Sequence, residues 1–136
     1  MTELITKEKG KAKSTVVVTL TVARVEFGGN TGKGEYFYSF SPDLLLVGKG
    51  QQDVTLLYRF DDEVPYQFRI RSLLSSDAHD QIKKPHIAED GRSVSVVNRN
   101  NKATLIFFTV IIEDEKRKLL FSCDPQVGND PQISPK

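Results

Sequence analysis

The chain has 136 residues, 38% hydrophobic and 27% charged, the profile of one globular domain rather than a disordered segment. Lys and Arg number 19 against 18 Asp and Glu, a formal charge of +1, too small a surplus for a dedicated nucleic-acid binder. No apolar run approaches the roughly 18 residues of a membrane span, and one cysteine, Cys123, excludes an internal disulfide framework.

Residues 1–14 form a polar arm with Lys7, Lys9, Lys11 and Lys13 at alternate positions. Val16, Val17 and Val18 follow, but Thr15, Thr19 and Thr21 break the apolar stretch, which is too poor for a signal peptide. The expected compartment is therefore the cytoplasm. Glu3 and Glu8 dilute the lysines and no aromatic interleaves them, so a solvated tail is a plainer account than a phosphate-binding arm.

Residues 15–123 read as a β domain. Val16, Val18, Leu20 and Val22 share one strand face, and the parity changes at Val25 and Phe27, which predicts a bulge or sheet switch near Ala23 and Arg24. A Gly-rich loop follows at 28–34. Tyr36, Tyr38 and Phe40 alternate in a second strand, and 44–47 is a short apolar run. Val54, Leu56, Tyr58 and Phe60 give another strand, then Val64, Tyr66, Phe68 and Ile70, with Pro65 putting the start of that one at an edge. Residues 73–87 lack a clean period; Ser76 and Asp77 can cap one short helical turn before Pro85. Val94 and Val96 mark a strand, 105–112 is the strongest of all, and Leu119, Phe121 and Cys123 pair back on it. About seven strands with frequent turns predict an all-β, antiparallel two-sheet sandwich of immunoglobulin-like Greek-key build, with a closed β-barrel as the alternative. Residues 124–136 carry Pro125, Pro131 and Pro135, which argue for an extended tail and against a helix or a central strand.

The chemistry-bearing residues are sparse. In the loop, Gly28 and Gly32-Lys33 are one residue short of the phosphate-cradling spacing, and a strand rather than a helix follows. Asp77, His79, Asp80 and His86 lie close in sequence, yet their spacing fits no zinc pattern and neither histidine has a nucleophile partner nearby. Cys123 lies on an alternating apolar face, as an inert thiol would. No catalytic, cofactor or metal residue is assigned, and a non-enzymatic role is expected. Arg59, Arg69 and Arg71 occupy the polar phases of two consecutive strands; if those strands pair, the three guanidinium groups form a candidate anion-binding surface. Tyr36, Tyr38, Tyr58 and Tyr66 offer sugar-stacking rings, so a small anionic or carbohydrate ligand is the alternative function.

The leading expectation rests on 105–112. Leu105, Phe107 and Ile111 share one face and Ile106, Phe108, Val110 and Ile112 the other, so both faces are apolar and both need cover. The C-terminal tail, the 73–88 connection or a second copy of the chain can supply it. The candidate interface is Ile106, Phe108, Val110 and Ile112, and the expected role is protein–protein association, foremost as a homo-oligomer.

At the tail, Cys123-Asp124-Pro125-Gln126-Val127-Gly128-Asn129-Asp130-Pro131 resembles the Asp-Pro-rich terminal signature of the small bacterial DP-EP family. That resemblance, resting on this segment and the general size, implies a small, β-rich bacterial protein and carries over no catalytic residue. In build, the chain is also similar to the small, self-associating bacterial inclusion-body proteins.

Overall fold

The structure, a computed structural model, describes residues 14–76 and 79–132. Among the described residues there are ten strands and no helix, and so no helix long and apolar enough to cross a membrane. In chain order they are β1 Thr15–Arg24, β2 Tyr36–Ser41, β3 Leu44–Val47, β4 Val54–Phe60, β5 Phe68–Ser75, β6 His86–Ile87, β7 Ser93–Asn98, β8 Thr104–Asp114, β9 Leu119–Cys123 and β10 Gln126–Asn129.

They form two mixed sheets that face each other and do not close into a barrel. Sheet I runs β2-β1-β4-β7-β6, with β1 and β4 parallel and the other pairs antiparallel. Sheet II is centred on β8, which pairs antiparallel with β5 on one side and with β9 and β10 on the other; β3 adds to β10 in parallel. The order β6-β7-β4-β1 over β5-β8-β9 is the strand layout of an immunoglobulin-type sandwich, with β1 reversed relative to the usual first strand and β2 added outside it.

Alternation explains the layers. In β4 and β7, every second residue is buried, which aims Val54, Leu56, Tyr58 and Phe60 with Val94 and Val96 at the core. Two aromatic groups fill the space between the sheets. Tyr36 stacks on Phe121 at 4.2 Å with Phe68 edge-on to both, and Tyr58 sits edge-on between Phe40 and Phe108.

Three local expectations are corrected. β1 runs in unbroken register to Arg24 opposite Tyr36, with no bulge at Ala23, because Val25 and Phe27 belong to the following loop and Phe27 is exposed. The register shift of the molecule lies in β5, between Ile70 and Ser72. The prolines do not keep the C-terminal segment out of the sheet. β10 is an inner strand between β8 and β3, and its register follows on from β9, with Cys123 opposite Val110 and Gln126 opposite Phe107. Pro125 lacks an amide but still accepts the Phe108 N–H at 3.0 Å, so one proline interrupts the ladder without ending it. The short helical turn expected after Ser76 is absent among the described residues; Asp77 and Ala78 lie outside them, and Ile82 makes a single bridge to Asn98.

Candidate functional site

Strand β8 carries the apolar run, and the structure settles which of its faces is covered by the chain itself. Ile106, Phe108, Val110 and Ile112 are each 0% exposed. They point between the sheets, where Phe108 meets Tyr58, so the expected interface residues are core residues. The outward face holds Leu105 and Phe107, 50% and 48% exposed, with Thr109 and Ile111 half-buried. Thr109 and Glu113 share that outward parity, a polar signal in the sequence that marks the solvent side of the strand.

The pairings extend this face across sheet II. Phe107 is opposite Gln126, which is opposite Leu44; Leu105 is opposite Gly128, which is opposite Leu46. Gly128 supplies room in the second row: a Cβ there would stand 3.0 Å from Leu46 Cδ2. Leu46 is 70% exposed, and Leu74, opposite Thr109 on β5, is exposed as well. Five large apolar side chains thus lie open on one end of the outer face. Its other end is charged: Arg71 reaches Glu113 at 2.6 Å and Glu115 at 2.9 Å, and Arg69 reaches Glu115 at 3.7 Å.

Those ion pairs dispose of the expected arginine surface. Arg59 stands on β4 in sheet I, whereas Arg69 and Arg71 stand on β5 in sheet II, so the two strands do not pair and the three side chains do not share a face. Arg69 and Arg71 also face carboxylates, and Arg69 Nη2 donates to the Glu89 carbonyl. The tyrosine set is dispersed too. Tyr36 and Tyr58 are core residues, and exposed Tyr66 is stacked on the Arg92 guanidinium, which is itself sandwiched over Phe60 and donates to the Val64 and Pro65 carbonyls.

The loop at 28–34 is a clasp. The amides of Gly29, Asn30, Thr31, Gly34 and Glu35 all donate to carbonyls of the same hairpin, which leaves them unavailable to a phosphate. Thr31 Oγ1 donates to the Ser122 carbonyl in sheet II. Gly32, at φ +60°, lies against the Tyr36 ring, where a Cβ would approach to 2.7 Å. Cys123 is buried, and that burial pushes its thiol far above the ordinary cysteine range. His86 lies in the two-residue β6, and His79 precedes the bridge at Ile82. Among the described residues no three His, Cys, Asp or Glu side chains gather as a metal site.

Two buried polar groups escaped the reading of the sequence. Asp114, fully buried, closes the turn between β8 and β9. Its Oδ2 accepts Tyr36 O–H at 2.6 Å and Arg117 Nη1 at 3.3 Å, and its Oδ1 accepts Gln67 Nε2 at 2.9 Å and the Lys116 amide at 3.1 Å. Burial alone would raise the Asp114 pKa, but these donors outweigh it and hold the carboxyl below its ordinary value. Burial, aided by the same carboxylate, pushes Tyr36 up to about 12. At the opposite end of the sandwich Asn98 and Asn129 exchange two hydrogen bonds, at 2.6 and 2.9 Å, and tie sheet I to sheet II. Gln81 Oε1 accepts the amides of Asn101 and Lys102 beside them. Both clusters are internal and bind the fold to itself.

The segment that carries the DP-EP resemblance supplies the end of β9 and all of β10. No family model matches the chain, and no curated protein matches it in sequence.

Proposed function

We propose that this protein works by association, first with a second copy of itself, through the apolar end of the outer face of sheet II. The observation that carries the reading is the cluster of Leu44, Leu46, Leu74, Leu105 and Phe107, all exposed on β3, β5 and β8, with Gln126 and Gly128 of β10 between the leucines of β3 and the β8 pair. Open side chains of this kind expose on the order of 100 Å² each, which puts the cluster in the ~300–600 Å² range of the largest apolar patch on a typical monomer, a patch that is often functional. Covering them contributes about 25 cal/mol per Å², enough to offset part of the cost of association without any catalytic site. The charged half of the same face, with its arginines already paired to glutamates, gives such a contact a polar rim.

Light scattering after gel filtration tests this. The expected result is a mass above one chain for the wild type and a mass of one chain for Leu46→Glu, with the β-sheet circular dichroism of both unchanged. A Leu46→Glu variant that assembles like the wild type would remove this face from the account.

A further inference from the structure

We infer that the second copy joins at the free edge of β3, pairing with its own symmetry mate in antiparallel fashion so that sheet II runs on across a two-fold axis. The inference rests on the self-association proposed above and places the contact at the β3 side of that cluster, with Leu44 and Leu46 at the join.

The five strand edges differ in how they are guarded; at β9 the loop at 28–34 reaches across, and the Ser122 carbonyl accepts Thr31 Oγ1. At β2 the Gly-rich loop folds back: Asn30 Nδ2 donates to the Tyr38 carbonyl and Asn30 Oδ1 accepts the Tyr38 amide, both at 2.9 Å, so one side chain stands in for a neighbouring strand. The Asn30 and Thr31 amides occupy the Tyr36 carbonyl. At the other edge of sheet I, β6 is two residues long and follows Lys83, Lys84 and Pro85. In sheet II, β5 is interrupted by its register shift, carries Arg69 and Arg71, and gives the Ile70 amide to the Gly91 carbonyl at 2.7 Å. Short length, charge, proline and bulges are the usual means of keeping an edge from pairing with another chain. Pro42, Asp43 and Lys49 flank β3, but its four strand residues carry no charge, proline or bulge: they read Leu44-Leu45-Leu46-Val47.

Its free hydrogen-bonding groups are set by its pairing with β10. The Asp43 and Val47 carbonyls accept the Gln126 and Asp130 amides, at 3.3 and 2.9 Å. Alternation then turns residues 43, 45 and 47 toward β10, and Leu44 and Leu46 outward. Among the described residues no group meets the outward amides and carbonyls of Leu44 and Leu46. An antiparallel pairing centred on Leu45 sets Leu44 opposite the second copy's Leu46 and closes four backbone hydrogen bonds. A two-fold contact requires a surface that complements itself, and Leu44-Leu45-Leu46 reads the same in both directions. The apolar rows also become continuous: Phe107, Gln126 and Leu44 of one copy lead into Leu46, Gly128 and Leu105 of the other. An edge contact of this size falls below the ~800 Å² per partner of a standard interface, so association in the micromolar range is expected.

The test uses the whole chain. Amide hydrogen exchange, read by NMR in dilute and concentrated samples, is expected to slow by about tenfold or more at Leu44 and Leu46 on concentration and to stay unchanged at Leu45. Leu46→Pro deletes an outward amide without touching the bonds to β10, and is expected to be a folded monomer, while Leu46→Val still assembles. Should Leu46→Pro fail to fold, the exchange pattern of the wild type decides. An assembling wild type whose Leu44 and Leu46 amides exchange at one rate throughout overturns the edge geometry and leaves face-to-face association standing. A wild type that is monomeric at every concentration overturns both.

Discussion

The two faces of β8 are almost equally apolar in composition and have opposite fates. The inner face, Ile106, Phe108, Val110 and Ile112, is sealed between two sheets of one chain; the outer face keeps Leu105 and Phe107 half open beside Leu44 and Leu46. The difference lies in the neighbours. Sheet I supplies Tyr58 and its aromatic companions to the inner face, while the outer face meets only the glycine and glutamine of β10 before the leucines of β3. Hydrophobicity within a strand therefore says that both sides seek cover, and only the fold says which side the chain covers unaided.

Substitutions on the two faces separate these fates most sharply. Phe108→Asp buries an unpaired carboxylate and forfeits the ring packing, so it is expected to cost about 5 kcal/mol or more and abolish the cooperative thermal transition. A folded Phe108→Asp would mean the inner face is not the core. Asp114→Ala comes next. It strands the Tyr36 hydroxyl and the Gln67 amide, and urea denaturation is expected to show a loss of about 3 kcal/mol.

The pH dependence of the same cluster follows from its two shifts. The Asp114 pKa is lowered on folding, so its contribution is present at neutral pH and is lost as acid titrates through that depressed value; Asp114→Asn should flatten this acid limb. The Tyr36 pKa is raised, so its contribution is full below pH 10 and is lost as pH climbs through about 12; in Tyr36→Phe the alkaline loss over that interval should shrink. Equilibrium unfolding across both limbs measures each effect. The smallest effect on stability is expected on the outer face: Leu46→Glu, at a side chain 70% exposed, should change the unfolding free energy by no more than about 0.5–1 kcal/mol, while it weakens assembly strongly.

Much of the architecture was legible in the residues, and the misses have physical reasons. Alternation in 54–60 and 93–98 identified half-buried strands and hence a sandwich, because one side of each sheet meets the core. The parity change at Val25 suggested a switch in β1, but those residues lie in a loop, where alternation carries no meaning. A real change of parity, from Phe68 and Ile70 to Leu73, lies in β5 and marks its register shift. Pro125 hid β10, since a proline rules out an amide bond at its own position but not pairing on either side. The site was legible as a strand and not as a surface: the run at 105–112 was singled out, with its faces exchanged. Leu44 and Leu46 read as an ordinary short apolar run, because their exposure depends on β3 being an edge, which is a property of the topology. The arginines were grouped by consecutive strands, and a sandwich sends consecutive strands to different sheets.

Sedimentation velocity over a concentration series, on the wild type and on Leu46→Glu, tests the central claim most directly. The account predicts a sedimentation coefficient that rises with concentration for the wild type and stays at the single-chain value for the variant. A wild type that sediments as a lone chain throughout the micromolar range, with Leu46 and Phe107 bare to water, would contradict it.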